Sequence, residues 1–116
     1  MKILILDDDL NRHELFKLNY AKHELTHVFT AEAAIDALKN NTFDVVCLDH
    51  DLGGMQMVDS WGTEPTGYDV ARWLSQNPDR KPSLIYIHSY NPDGARNMHN
   101  ILPGSILAPG MWGTMQ

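Results

Sequence analysis

The stretch Lys2-Ile3-Leu4-Ile5-Leu6-Asp7-Asp8-Asp9 decides how the rest of the chain is read. A short apolar run that stops abruptly at acids is the pattern of a strand buried on both faces, as in a parallel sheet. The pattern returns in Phe43 to Leu48 (FDVVCL), stopped by Asp49, His50 and Asp51. A third run, Leu84 to Ile87 (LIYI), ends in His88-Ser89-Tyr90-Asn91-Pro92. Three buried strands thus finish in polar, chemically capable residues.

Between these runs the period changes from strand to helix. Leu10 to Tyr20 sets Leu15, Phe16, Leu18 and Tyr20 among polar residues, an amphipathic helix that Asp9 can cap. Leu25 to Phe29 (LTHVF) reads as a strand, and Thr30 as the cap of a helix through the strong helix formers AEAAIDAL. Thr66 and Asp69 have capping-box spacing for a helix through Gln76. Asn91 with Pro92 looks like an N-cap with proline at the first helical position, for a helix reaching near Ile101. Ser105 to Leu107 makes a short fifth strand.

Strict alternation of strand and helix implies a parallel sheet with right-handed crossovers. The fold class is therefore α/β, a flavodoxin-like five-stranded parallel sheet, in one domain spanning residues 1–116. Ligands in such a sheet bind outside the carboxyl ends of the strands, at the switch point. Nine residues follow Leu107, too few for a closing fifth helix, so the sheet is expected to be truncated without its last helix. Met111, Trp112 and Met115 can fill the gap on that face or meet a second copy in a homodimer, and the sequence leaves both open.

Composition narrows the function classes. With 116 residues and 43% apolar content, the chain suits one folded domain rather than a disordered segment. Nine Lys and Arg against fifteen Asp and Glu, net charge -6, argue against duplex DNA as a partner. No apolar run approaches the ~20 residues that span a bilayer, and no signal peptide precedes the first strand, so a cytoplasmic location without membrane attachment is expected. The single Cys47 lies inside a strand and reads as a small buried residue.

The placement of the acids carries the chemistry. In a flavodoxin-like order the first and third strands are neighbours, so Asp7, Asp8 and Asp49 should converge. Packed carboxylates repel one another, and a hard divalent cation, Mg2+ or Mn2+, relieves that repulsion and supplies charge for phosphate oxygens. At the end of the fourth strand, Ser89 and the helix start at Asn91 offer hydrogen bonds to a phosphate, and His88 can give or take a proton. His50 stands between two acids as a metal ligand or acid/base, or, by alternation, packs on a helix. His13, His23, His27 and His99 lack ligand spacing and read as surface or interface residues. Gly53-Gly54 and Thr63 to Gly67 lack the context of a phosphate loop. They read as a flexible loop over the site, with Trp61 available to a base or sugar.

These residues resemble the receiver domains of two-component signalling. KILILDDD looks like the first receiver strand with its acidic pair at Asp7 and Asp8, and VVCLD places the phosphoacceptor at Asp49. Ser89 matches the Ser/Thr at the end of the fourth strand. Where receivers carry a lysine-proline pair, this chain has Ala108-Pro109, which disfavours conventional phosphorelay. DDDLNRHELF, LDHDLGG, TGYDVARWL and IHSYNPDGARNM are similar to the receiver-like family of cyclic-phosphate-processing domains, from Met1 to about Leu102. That resemblance implies a site of Asp7, Asp8, Arg12, Asp49, His50, Asp51, His88, Ser89 and Asn91, with Asp51 added to the metal ligands and Arg12 gripping phosphate.

The expectation is a metal-dependent phosphoesterase acting on a cyclic phosphate of a nucleotide or RNA end. Asp7, Asp8, Asp49 and Asp51 would hold the metal, His88, Asp49 and His50 would be catalytic, and Ser89, Asn91 and Arg12 would hold substrate. The alternatives are a degenerate receiver phosphorylated on Asp49 and a non-catalytic cyclic nucleotide binder.

Overall fold

The computed structural model describes residues 1–52 and 65–111. Its elements run β1 (Lys2–Leu6), α1 (Leu10–Asn19), β2 (Glu24–Val28), α2 (Ala31–Asn40), β3 (Val45–Leu48), α3 (Gly67–Gln76), a 3-10 turn (Pro78–Arg80), β4 (Leu84–Ile87), α4 (Pro92–Ile101) and β5 (Ile106–Leu107). All strands are parallel, in the order β2-β1-β3-β4-β5. The chain thus reverses direction across the sheet between β1 and β3, which is the switch point the alternation implied.

Each helix starts where its capping residue dictates. The Asp9 side chain accepts from the amides of Asn11 and Arg12, and Thr30 accepts from Ala33. Thr66 and Asp69 form the full capping box, and Asn91 accepts from Gly94 behind Pro92. Thr66 and Gly67 therefore belong to α3 rather than to the loop assigned to Thr63–Gly67. Gly53-Gly54, Trp61, Thr63, Trp112 and Met115 lie outside the described residues.

Strand bounds differ from expectation at four ends. β2 begins at Glu24 and stops before Phe29, which is 40% exposed. β3 begins at Val45, because the Asp44 side chain caps the edge by accepting from the Lys2 amide at 2.8 Å. Ser105 falls outside β5, its hydroxyl bonded to His99 Nδ1 at 2.9 Å.

The two faces of the sheet are covered unequally. Leu4, Leu6, Val46, Leu48, Ile85 and Ile87 point to the face carrying α2, α3 and α4, where they meet Ala34, Leu38, Val70, Leu74 and Met98. Fully burying each such aliphatic side chain stabilises the fold by about 1.5–3 kcal/mol. The opposite face, Ile3, Ile5, Val45 and Cys47, packs on Phe16 of α1 with Tyr20, Tyr86 and Met111 at its margin. Beside α1 an apolar cavity of about 410 Å3 opens between Tyr20, Tyr86 and Met111. Met111 packs into this margin on its own chain, and Tyr20 Oη donates to its carbonyl at 2.9 Å. Among the described residues no helix is long and apolar enough to cross a membrane.

Candidate functional site

Three strand ends meet at the top of the sheet. The amide of Asp49 donates to Leu6 O at 3.0 Å and that of His88 to Leu48 O at 2.9 Å, so the ladder continues one step past β1, β3 and β4. That continuation fixes where Asp7, Asp49 and His88 stand. Asp7, Asp8 and Asp49 each bring a carboxylate oxygen within 4.8 Å of the other two, so the expected convergence is present. The cleft above them has a volume of about 320 Å3, and Asp8, Arg12, Asp49, Asp51, Ser89 and Asn91 line it.

Arg12 is the central counter-ion. From the first turn of α1 its guanidinium reaches both oxygens of Asp7, at 3.0 Å from Nη2 to Oδ1 and 2.9 Å from Nε to Oδ2. Nη2 also lies 3.6 Å from Asp8 and 3.5 Å from Asp49. Burial opposes its charge, but the Asp7 hydrogen bond and the surrounding acids hold its pKa above the usual value. Among the described residues one cation is thus shared by three carboxylates, which leaves them short of positive charge.

That deficit falls on Asp49. Burial, followed by repulsion from Asp7, pushes its carboxyl up to about 7, against the opposing pull of Arg12 and the His50 amide. Its Oδ1 accepts from His50 N at 2.9 Å, while Oδ2 is buried and accepts no hydrogen bond from the described residues. Asp7 behaves in the opposite way. Burial raises its pKa, but the His88 hydrogen bond, the Asp9 amide and Arg12 together outweigh it and hold Asp7 below the ordinary carboxylate range.

His88 stands behind Asp7 rather than in the cleft. It is fully buried, with Nε2 3.0 Å from Asp7 Oδ2 and its ring edge-on to Phe16. Burial pulls its pKa below the usual value more strongly than Asp7 raises it, so the ring is neutral and donates Nε2–H to an ionised Asp7. The structure thus sets His88 against the Asp7 carboxylate rather than on the wall of the cleft.

His50 and Asp51 also sit apart from the acidic triad. The His50 ring packs over Gly94 of α4, where an added Cβ would lie 2.5 Å from the ring. It opens toward a separate groove shared with Tyr68 and Asn97. This places His50 as the alternation argument allowed, packed on a helix and off the lining of the acidic cleft. Asp51 Oδ1 accepts from His50 Nδ1 at 2.7 Å and from Asn91 Nδ2 at 3.2 Å, at the mouth of the cleft. Burial raises its pKa, but those two partners outweigh it and hold the carboxyl low. Asp51 is outside the group of three converging oxygens.

On the β4 side, Ser89 Oγ accepts from Asn91 N at 3.0 Å, leaving its hydroxyl hydrogen for an anion. The α4 start is poorer in free donors than a typical helix end: Pro92 has no N–H, and Gly94 N–H is taken by Asn91 Oδ1 at 2.9 Å. At the base of the site, Gly67 N donates to His50 O at 2.9 Å. A Cβ on Gly67 would stand 1.8 Å from Asp49 O, so only glycine lets α3 approach this closely.

One buried group escaped the sequence reading. His13 is 2% exposed, bonded through Nδ1 to His27 Nδ1 at 2.7 Å and through Nε2 to Asp7 O at 2.8 Å. Surface placement of His13 is therefore corrected, while His27 is half-buried. The signal was present in the spacing of His13 and Phe16, three apart on the buried face of α1.

The family model of the cyclic-phosphate processing receiver domain matches residues 2–103. No curated protein is significantly similar. Among solved structures, a CheY-like response regulator receiver domain from Methylobacillus flagellatus is 17% identical with a TM-score of 0.71, covering 95% of this chain and 86% of that one. The response regulator TrrA from Thermotoga maritima, in complex with Mg2+ and BeF, is 20% identical with a TM-score of 0.69, covering 94% and 87%. The Mn2+-bound form of response regulator Rcp1 is 19% identical with a TM-score of 0.70, covering 92% and 79%. At these identities the likeness shows the fold, a receiver-type five-stranded sheet.

Proposed function

Because the chain belongs to the cyclic-phosphate processing receiver domains, we propose that it opens a cyclic phosphate on a nucleotide or RNA end by metal-dependent hydrolysis. The observation that carries this reading is the convergence of Asp7, Asp8 and Asp49 beside Arg12 and Ser89 in one cleft. The donor set suits a hard divalent cation: all three ligands are carboxylates, one cation serves them all, and Asp49 Oδ2 accepts no hydrogen bond from the described residues. Mg2+ or Mn2+, held by these three, supplies positive charge for the phosphate oxygens.

The remaining roles belong to the chain itself. His88 keeps Asp7 ionised and oriented, as outer partners of metal ligands do. Arg12, already at the cluster, presents a planar fork suited to two phosphate oxygens. Ser89 donates its hydroxyl to a third. In the overall reaction a water oxygen adds to phosphorus and one ring P–O bond breaks. The water's proton ends on the departing sugar oxygen, leaving a phosphomonoester and a free hydroxyl. Incubation with cyclic mono- and dinucleotides and 2',3'-cyclic-phosphate RNA ends, with and without Mn2+, tests this. Full activity in Asp49→Ala refutes the assigned site.

A second reading is favoured by the same Asp49: a receiver that takes a phosphoryl group on the inward-facing Oδ2. Against it stands Ala108, which offers no charge and lines the apolar cavity on the α1 side. Acetyl phosphate with Mg2+, followed by intact mass, separates the two, since a stable adduct on Asp49 supports the second reading only.

A further inference from the structure

The acidic cleft does not end at its polar wall. Ser89 and Tyr90 are shared with a second hollow of about 290 Å3 on the α4–β5 side. Its other walls are apolar, from Ile87, Pro92, Ala95, Leu107 and Pro109, with Arg96 at the rim. Arg96 faces Asp93 on its own helix at 3.6 Å, so no unbalanced charge turns into this slot. A single exposed aromatic is ordinary on a protein surface. Tyr90, 67% exposed, differs because it lines both a phosphate-sized polar cleft and an apolar slot. Its hydroxyl lies beside Gly110, where an added Cβ would stand 2.7 Å from Oη.

We propose that this slot receives the base of a nucleoside cyclic phosphate, stacked on Tyr90, while the phosphate lies in the acidic cleft. The proposal rests on the cyclic-phosphate reading above and names which substrates that site prefers. A planar base suits the slot because its faces are apolar and its stacking on an aromatic ring does not depend on sequence. The two compartments touch, as base and phosphate do when one sugar joins them. An acyl chain would fill the slot as well, but it gains no stacking on the Tyr90 ring, which a planar base does.

The test compares two ligands that share the ring phosphate and differ in the base: adenosine 2',3'-cyclic phosphate and glycerol 1,2-cyclic phosphate. Their dissociation constants are measured by calorimetry in Mn2+ for the wild type, Tyr90→Ala, and Leu107→Lys, the last at a site 47% exposed and so tolerant of substitution. The expected result is tighter binding of the adenosine compound by roughly tenfold or more, lost in both variants. Equal binding of the two ligands by the wild type, or a preference that both variants keep, overturns the proposal. Hydrolysis of both ligands is followed in parallel. Base-dependent binding without ring opening in Mn2+ sinks the hydrolytic function and leaves the slot standing. Ring opening without any base preference does the reverse.

Discussion

Asp49→Asn in the metal-free protein is the sharpest probe of the site, because it removes a charge and little else. The folded protein keeps a proton on Asp49 up to about pH 7, whereas the unfolded chain releases it near 3.8. Below pH 3.8 both states are protonated and the group is neutral to stability. As pH rises from there to about 7, only the unfolded state loses its proton, so the folded state is progressively penalised; above 7 the penalty is constant. At about 1.4 kcal/mol per pH unit the full cost is roughly 4 kcal/mol, an upper bound because Asn also forfeits the pairing with Arg12. The measurement is urea unfolding of both proteins at pH 4.5 and pH 8 with chelator present. The variant is expected to gain roughly 2–4 kcal/mol relative to wild type between the two pH values. Saturating Mn2+ should then stabilise wild type more than the variant. A difference between the two proteins that does not change with pH would show that Asp49 carries no buried, uncompensated charge.

Three other outcomes follow from the same geometry. His88→Gln should weaken Mn2+ binding by about 10- to 100-fold through a loosened Asp7; an unchanged titration in calorimetry would remove His88 from its positioning role. Gly94→Ala drives a methyl into the His50 ring and should cost about 1–3 kcal/mol in urea unfolding. It should also break the His50–Asp51 hydrogen bond, read from the imidazole resonances by NMR; wild-type stability would refute that packing. Cys47, whose thiol burial pushes up to about 12, should react with a thiol reagent only as fast as the protein unfolds, and immediate labelling in native buffer would contradict its burial.

Much of the fold is legible because parallel strands announce themselves. KILIL and LIYI match their strands to the residue, and Asp9, Thr30, Thr66 and Asn91 each cap the helix they precede. The convergence of Asp7, Asp8 and Asp49 follows from strand order alone. What stays hidden is direction. His88 has the parity of Tyr86, whose side chain turns to the α1 face, so it passes beneath Asp7 instead of rising into the cleft. His50 lies just past β3 on the opposite parity and is claimed by α4. Arg12 looks like an ordinary helix charge, because its grasp of three acids depends on how α1 lies across the sheet. The spacing of His13 and Phe16 marks the buried face of α1, but not the angle at which the helix crosses the sheet.

The hydrogen bond from Gly67 to His50 closes a ring of chain. The backbone leaves the sheet after β3 and comes back to the same point, so residues 51–66 begin and end at one knot. Lengthening a closed loop costs only ~0.6 kcal/mol per doubling. The knot therefore makes this span a socket: peptide inserts, or the corresponding segment of a relative, can be grafted there without moving the strands that carry the acids. The length of chain between β3 and α3 can thereby change without shifting the strands, provided that Asp51 at the mouth of the cleft is kept.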